Sequence, residues 1–170
     1  SKRIPTSENA IISPLDPYGA TKSNFETYLD IYHRLHGINY TSLRYANVYG
    51  PRQNPFGEAG VISIFSKLLL NNSQATINGD GENIRDFVYI DDLVDVCIKA
   101  INSKDNGTYH VSSGNDISII ELWTATLKAL NNTYDVEERV RHEDDAPTIL
   151  LDPKKTNDTF NWIAKTNLED

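Results

Sequence analysis

The chain has 170 residues, a formal net charge of −8, and 39% hydrophobic against 24% charged residues. This balance is ordinary for a globular domain, and acidity without a basic cluster argues against nucleic acid as the main partner. No apolar run approaches the ~18 residues of a membrane span, and the single cysteine, Cys97, excludes a disulfide framework and favours a reducing, cytoplasmic location.

The first half of the chain alternates between helix and strand patterns. Residues 1–16 are rich in proline without periodicity and are predicted to form a loop. Apolar and aromatic side chains recur at helical spacing from Pro17 to His36, and Gly37 suits the C-terminal cap of this helix. The next predicted elements are a strand over Asn39–Tyr45, a long loop over Asn47–Gly60 and a helix over Val61–Leu70.

The alternation continues to the C-terminus, so the predicted fold class is α/β. Ala75–Ile77 and Ile84–Ile90 are predicted to form a hairpin around Gly79-Asp80-Gly81, because Asp-Gly is a strong turn signal. Asp91 is predicted to cap the next helix, and Ser118 and Glu121 have the spacing of a capping box. The other predicted elements are a helix to about Asn102, a strand over Thr108–Val111, a helix to Leu130, a strand over Asp135–Val140 and a short helix from Asp152 to near Trp162.

Tyr18 and Lys22 are four residues apart and therefore share one face of the first predicted helix. A phenol, with an ordinary pKa of about 10, is a poor base at neutral pH. A cation about 4 Å away favours the phenolate by ~1 kcal/mol in water but by ~4 kcal/mol at an effective dielectric constant of ~20. The pair can therefore act as an acid/base in a covered site, for example beneath a bound cofactor. The spacing alone also fits chance, because the chain has nine tyrosines.

Other polar groups are interpreted as structural. His33 and His36 share a helix face without a third ligand nearby in the sequence, and Asp91-Asp92 marks a helix start, so we predict no metal site. No Ser/His/Asp or Cys/His arrangement is evident, and Cys97 lies in an apolar helix pattern typical of a core position.

Four motifs follow one another along the chain. They are Ser13-Pro-Leu-Asp-Pro-Tyr18-Gly-Ala-Thr-Lys22, Leu43-Arg-Tyr-Ala-Asn47-Val-Tyr-Gly-Pro-Arg52-Gln53, Gly60-Val-Ile, and Asn78-Gly-Asp-Gly-Glu-Asn-Ile-Arg85-Asp86-Phe-Val-Tyr89-Ile-Asp91-Asp92-Leu93. In this order the series resembles the extended short-chain dehydrogenase/reductases, and among them the nucleotide-sugar epimerases of the UDP-glucose 4-epimerase type. The resemblance runs from about Ile12 to Trp162 and corresponds to the second half of such an enzyme. It implies that residues 1–170 form the C-terminal part of an NAD-binding Rossmann fold together with the smaller substrate-binding domain.

The resemblance implies a role for each matching residue. Tyr18 would be the catalytic acid/base at the sugar C4 hydroxyl, and Lys22 would hold the nicotinamide ribose of NAD. Tyr45 and Ala46 would also face the cofactor. The implied substrate-binding residues are Asn47, Gly60, Val61, Ile77, Asn78, Arg85, Arg141, His142, Asp145 and Ile149.

Within this set, Arg85 would pair with the diphosphate, for which a planar guanidinium is well suited. The alternative is that Arg85 and Asp86 form an exposed strand edge. Asp145 would reach the ribose hydroxyls of the nucleotide, with Arg141 as the substitute for the family's usual arginine. Ile149, four residues further on, would line the far wall of the sugar pocket.

The implied activity is an NAD-dependent nucleotide-sugar 4-epimerase, acting on UDP-glucose and UDP-galactose through a 4-keto sugar. A homodimer through the helix Tyr18–His36 is also implied. The sequence has neither a methionine nor a Gly-x-x-Gly-x-x-Gly loop, so we interpret it as the C-terminal portion of the enzyme, with the catalytic Ser/Thr expected before Tyr18. The alternatives are a 4,6-dehydratase or decarboxylase sharing the 4-keto intermediate, and a non-catalytic nucleotide-sugar-binding or dimerisation module.

Overall fold

The computed structural model describes residues 4–56, 60–134, 137–139 and 148–169. Helices and strands alternate through these ranges, as the sequence predicts. In chain order they are α1 (Pro17–His36), β1 (Thr41–Tyr45), β2 (Asn47–Tyr49), α2 (Val61–Leu70), β3 (Thr76–Asn78), β4 (Ile84–Arg85), β5 (Phe87–Tyr89), α3 (Ile90–Asn102), β6 (Gly107–Val111), β7 (Ile117–Ser118), α4 (Ile119–Ala129), β8 (Glu137–Arg139) and α5 (Lys154–Phe160). No helix in this part of the chain is long and apolar enough to span a bilayer.

The strands pair mainly in parallel across intervening helices. β1 pairs with β6 from Thr41 opposite Gly107 to Tyr45 opposite Val111. The pairs β2–β5 and β3–β8 are also parallel, whereas β4 and β7 are antiparallel. Parallel strands connected by helices are the signature of an α/β fold, so the predicted class is confirmed.

Two clusters of buried side chains lie on opposite sides of β5. Val88 belongs to the first cluster, with residues of α3, β6 and the segment around α5. Phe87 belongs to the second cluster, with residues of α2, β3 and α4. Successive side chains of a strand point to opposite faces, and both Phe87 and Val88 are buried. Cys97 was predicted to be a core residue. It is partly buried and packs against the first cluster.

The helix boundaries that depend on local capping are confirmed. The Asp16 carboxylate accepts a hydrogen bond from the Gly19 amide at 2.6 Å, and Pro17 occupies the first turn of α1. Gly37 ends α1 with a φ of 67°, the left-handed conformation that glycine adopts without strain. Ser118 and Glu121 form the predicted capping box, and α2 has its predicted bounds.

The predicted hairpin around Gly79-Asp80-Gly81 is wrong. The chain does turn there, with φ values of 70° at Gly79 and 79° at Gly81. However, β3 pairs with β8 and β4 pairs with β7, so the strands on either side of the turn do not pair with each other. The Ile120 amide at the start of α4 donates to the Gly81 carbonyl at 3.0 Å. Docking on α4 therefore overrides the local turn signal.

Further boundaries also differ from the prediction. The strand predicted over Ile84–Ile90 is two strands, β4 and β5, which pair with different partners, and Ile90 already belongs to α3. The segment predicted as a loop over Asn47–Gly60 begins with β2, which is stabilised by its pairing with β5. α3 begins at Ile90 without a side-chain cap, so Asp91 is not its N-cap but lies in its first turn, where a negative charge favours the helix dipole. Of the strand predicted over Asp135–Val140, the part Glu137–Arg139 is present as β8, and the other residues lie outside the described ranges.

Replacing Ser118 by alanine is expected to lower the free energy of unfolding by about 0.5–2 kcal/mol. The Glu121 amide donates to Ser118 Oγ, and the Glu121 carboxylate accepts from the Ser118 amide at 2.8 Å, so the change breaks a reciprocal pair. Urea unfolding measures the effect. Thr124→Ala is the control, because Thr124 is exposed on the same helix and bonds only the preceding turn. An equal effect of both substitutions would contradict the prediction.

Candidate active site

Tyr18 and Lys22 lie on one face at the beginning of α1, as their spacing predicts. Nζ of Lys22 is 5.0 Å from the centre of the Tyr18 ring. Tyr18 is 69% exposed, so its phenol is open to a ligand. A phenol and an ammonium side by side can exchange a proton with a hydroxyl group and bind other hydroxyls.

The way in which α1 packs beside β1 brings Tyr18 and Lys22 to the carboxyl end of β1. The helix and strand run antiparallel, since the rings of His33 and Tyr40 are 6.1 Å apart while Glu26 bonds Arg44 further along β1. Lys22 lies about 6 Å beyond Glu26 at 1.5 Å per helical residue, and Ala46 lies about 6.6 Å beyond Arg44 at ~3.3 Å per strand residue. Lys22 and Ala46 therefore reach the same level. Crevices at the carboxyl ends of parallel strands are the usual ligand sites of such folds.

A cleft of about 310 Å³ opens at this end of the sheet, and four residues implied by the sequence line it: Ala46, Asn47, Gly60 and Val61. The Gln53 amide closes one side by donating to the Val48 carbonyl at 3.0 Å. A Cβ atom at Gly60 would lie 2.6 Å from Nε2 of Gln53, so glycine permits this close approach. The second and third motifs thus converge in space on one cleft.

Asn47 is fixed in the cleft by the strand beside it. Its backbone N–H and its side-chain Nδ2 both donate to the Asp86 carbonyl at 2.9 Å. These two bonds hold the exposed amide in one orientation. An amide held in this way can present its oxygen or nitrogen to a ligand with little loss of entropy.

Arg85 and Ile149 meet at the edge formed by β4. Arg85 lies on β4 partly buried, and its Nη1 donates to the Ile84 carbonyl at 2.8 Å. The Ile149 amide donates to the same Ile84 carbonyl at 3.0 Å, and the Ile149 side chain is 42% exposed. The backbone therefore places these two implied substrate residues next to each other.

The other implied residues fall into three groups. Tyr45 is exposed at the end of β1, with its hydroxyl 3.8 Å from Sγ of Cys97, and its contact with a cofactor stays a prediction. Ile77 is buried in the second cluster, so its side chain packs the core, and its contact with a substrate stays a prediction. Arg141, His142 and Asp145 lie outside the described ranges, as does the side chain of Asn78.

Asp86 is a central residue whose role the sequence does not reveal. It is fully buried, which excludes the exposed strand edge considered for Arg85 and Asp86. Its carboxylate accepts hydrogen bonds from Ser112 Oγ, from the Ser113 amide at 3.3 Å and from the Leu151 amide at 3.2 Å. Burial raises the pKa of Asp86 against the opposing effect of these bonds. Asp86 thus connects the ends of β4 and β6 with the segment that carries Ile149.

The geometry can be compared with known proteins. The model of the NAD-dependent epimerase/dehydratase family matches residues 1–112, which include α1, the cleft and β4. The chain belongs to this family.

Other members of the epimerase/dehydratase family match nearly the whole chain. UDP-glucose 4-epimerase of Mycolicibacterium smegmatis is 37% identical over 165 residues, which are 96% of this chain and 53% of that protein. The structure of UDP-glucose 4-epimerase with UDP-glucose from Thermotoga maritima is 37% identical with a TM-score of 0.95, covering 99% of this chain and 55% of that one. UDP-N-acetylglucosamine 4-epimerase from Methanobrevibacter ruminantium, in complex with UDP-N-acetylmuramic acid, is 32% identical with a TM-score of 0.93, over 100% and 54% of the chains. The chain therefore spans about half the length of the relatives it matches.

In this family member, His110 is expected to make stability depend on pH. His110 is buried, with Nδ1 3.1 Å from the Thr6 carbonyl, and burial lowers its pKa from the ordinary value of 6.5, with Arg44 acting in the same direction and Glu8 opposing. The unfolded chain binds a proton on this histidine at a higher pH than the folded chain does. The contribution of His110 to the free energy of unfolding is therefore fully present above about pH 6.5 and is lost as the pH falls through the folded pKa. His110→Asn should remove this loss between pH 7.5 and 5.5, measured by urea unfolding. His36→Asn is the control, because His36 is exposed, and an unchanged pH dependence in His110→Asn would contradict the prediction.

Proposed function

We propose that the chain is the C-terminal portion of an NAD-dependent nucleotide-sugar 4-epimerase of the UDP-glucose/UDP-galactose type. The proposal rests on one cleft, which lies level with the start of α1. Four implied residues converge on this cleft: Ala46, Asn47, Gly60 and Val61. Residues from separate motifs meet where a sugar could lie between the Tyr18 phenol and the Asn47 amide. The epimerases that match along nearly all of the chain support the same activity.

The residues at the start of α1 fit the nicotinamide-ribose end of NAD. Tyr18 and Lys22 offer a hydroxyl and an ammonium group, which are suitable donors for ribose hydroxyls, on an open helix face. When bound, NAD would supply a reversible hydride acceptor for the sugar carbon. The pyrophosphate requires a glycine-rich loop at a helix start, and the 170 residues contain no such pattern. Lys22, Tyr18, Tyr45 and Ala46 are therefore proposed to hold one end of the cofactor.

Tyr18 is proposed to move the proton of the sugar C4 hydroxyl. As phenolate it accepts this proton while the C4 carbon is oxidised to a ketone, and as phenol it returns the proton when the ketone is reduced from its other face. Lys22 favours the phenolate once a ligand covers the pair and excludes water. Arg85 is proposed to neutralise the diphosphate. This contact would hold the nucleotide in place while the 4-keto sugar rotates between the oxidation and the reduction.

We also propose that the protein is a cytoplasmic homodimer that forms through α1. The aromatic and aliphatic residues Phe25, Tyr28, Tyr32 and Leu35 recur at spacings of three and four and are all more than half exposed. An apolar stripe of this kind is usually covered in the assembled protein. A second α1 is proposed to cover it, and the oligomeric state of the full-length protein tests this.

The function is tested with the full-length protein and UDP-glucose carrying deuterium at C4. A 4-epimerase gives UDP-galactose with the deuterium still at C4, as measured by NMR. A product that lacks one water identifies a 4,6-dehydratase, and release of CO₂ from UDP-glucuronate identifies a decarboxylase. Binding of UDP-glucose without turnover would instead identify a non-catalytic module, and any of these three results would overturn the proposal.

A further inference from the structure

A polar network outside the proposed acid/base pair connects α1 to the parallel strands. Nε of Arg44 on β1 donates to Oε1 of Glu26 on α1 at 2.7 Å, and Nη2 of Arg44 donates to the other carboxylate oxygen. Ser42 Oγ donates to Oε1 of Glu26 at 3.1 Å. Such a two-pronged pairing of guanidinium and carboxylate fixes both distance and orientation.

The network continues into β6. Nη1 of Arg44 is 3.5 Å from Nε2 of the buried His110, whose Nδ1 is 3.1 Å from the Thr6 carbonyl. A neutral His110 with its proton on Nδ1 therefore donates to Thr6 and accepts from Arg44. The Glu26–Arg44 bond holds the pKa of Glu26 below its usual value in spite of burial, so this carboxylate is ionised at neutral pH.

The contacts of α1 show why this network matters for the helix. No side chain of α1 is fully buried by the residues that the structure describes, so apolar packing against this part of the protein does little to fix the orientation of the helix. Glu26 and Arg44 are only 16% and 28% exposed, respectively. Lys22, Glu26, Arg44 and His110 line one cavity of about 330 Å³. The ion pair thus fixes α1 to β1 about one helical turn from Lys22.

We propose that Glu26 and Arg44 are positioning residues, which hold α1 in the alignment that presents Tyr18 and Lys22 at the carboxyl end of β1. The inference rests on the proposed function of Tyr18. Tyr18 is two turns and about 12 Å from Glu26 along the helix axis. A tilt of roughly 5° about the ion pair moves Tyr18 by about 1 Å, a displacement that can cost ~10²-fold in rate.

Glu26→Gln in the full-length enzyme keeps the side-chain shape but removes the charge that holds the guanidinium. We expect kcat to fall about 10- to 100-fold, while KM for the nucleotide sugar stays within about threefold, because the cleft around Asn47 does not use this pair. Asp30→Asn is the matched control. Asp30 bonds Arg34 at 3.0 Å on the same helix, but this pair is exposed on α1 alone, so kcat should not change.

A double variant separates positioning from a general loss of stability. In the Tyr18→Phe background, Glu26→Gln should cause a much smaller further loss of kcat, since the reacting hydroxyl that it positions is already gone and only Lys22 remains to be displaced. A further loss equal to that in the wild-type background would overturn the inference, as would equal effects of Glu26→Gln and Asp30→Asn. If Glu26→Gln does not fold, Arg44→Lys, which keeps the charge without the paired geometry, carries the same expectations.

The same set of variants tells the two proposals apart. A large loss of kcat in Tyr18→Phe together with no loss in Glu26→Gln overturns this inference alone. An unchanged kcat in Tyr18→Phe overturns both this inference and the proposed function.

Discussion

Tyr18→Phe in the full-length protein is expected to lower kcat about 10²- to 10⁴-fold and to leave the affinity for the nucleotide sugar within a few-fold. This is the usual range for the loss of a general acid/base. The ring stays and only the hydroxyl is removed, so the contact with Lys22 over the ring is retained. Initial rates with UDP-glucose and the dissociation constant from calorimetry measure the two effects separately.

Tyr28→Phe is the control for this experiment. Tyr28 lies on the same helix but well away from Lys22, in the stripe proposed to form the dimer, where phenylalanine keeps the apolar ring. Its substitution should leave kcat unchanged. Equal losses in binding and turnover in Tyr18→Phe would assign Tyr18 to substrate binding, and an unchanged turnover would remove it from the chemistry.

Ile149→Tyr is expected to lower kcat/KM for UDP-N-acetylglucosamine selectively, by roughly 5- to 150-fold relative to UDP-glucose. Overpacking a pocket costs about 1–3 kcal/mol, and about 1.4 kcal/mol corresponds to a factor of ten. The Ile149 side chain is 42% exposed beside β4, so it has the room that a wall residue of a sugar pocket needs. Ile is intermediate in size, and we expect the wild-type enzyme to accept both sugars.

Ile149→Leu, which conserves the volume, should leave the ratio of kcat/KM for the two sugars close to that of the wild type. If Ile149 only filled the core, Ile149→Tyr would destabilise the protein and impair both sugars alike. An unchanged ratio in Ile149→Tyr would therefore remove Ile149 from the pocket. The Ile149 amide donates to the Ile84 carbonyl through the backbone, so all three proteins have the groups for this bond.

Elements with local signals could be predicted from the sequence, and elements that depend on distant partners could not. The cap of α1 by Asp16 and the capping box of α4 act within three residues of each helix start, so composition and spacing identify them. The turn at Gly79-Asp80-Gly81 also has a local signal. Its strands, however, pair with β7 and β8, which lie more than 30 residues further along the chain, and no local pattern contains this information.

The candidate site divides in the same way. The spacing of Tyr18 and Lys22 predicts a shared face, which is present. The cleft around Asn47 was implied only by the family resemblance, because its lining residues come from separate stretches of the chain. Asp86 and His110 were missed, since each acquires its role from partners 26 to 104 residues away in the sequence. The one signal at Asp86 was its place in the Arg85-Asp86 pair between Ile84 and Phe87, a pattern that also fits an exposed strand edge.

The position of β5 between two cores has a consequence for protein engineering. Its neighbouring residues Phe87 and Val88 face the clusters on either side, so a slip of one residue would exchange both side chains at once. A chimera that takes α2, β3 and α4 from a relative with another sugar preference joins foreign residues to Phe87, while Val88 keeps its native neighbours. β5 should therefore be transplanted together with α2, β3 and α4. Within the transplanted β5, only residue 88 should keep the host's valine, because it faces the host's cluster.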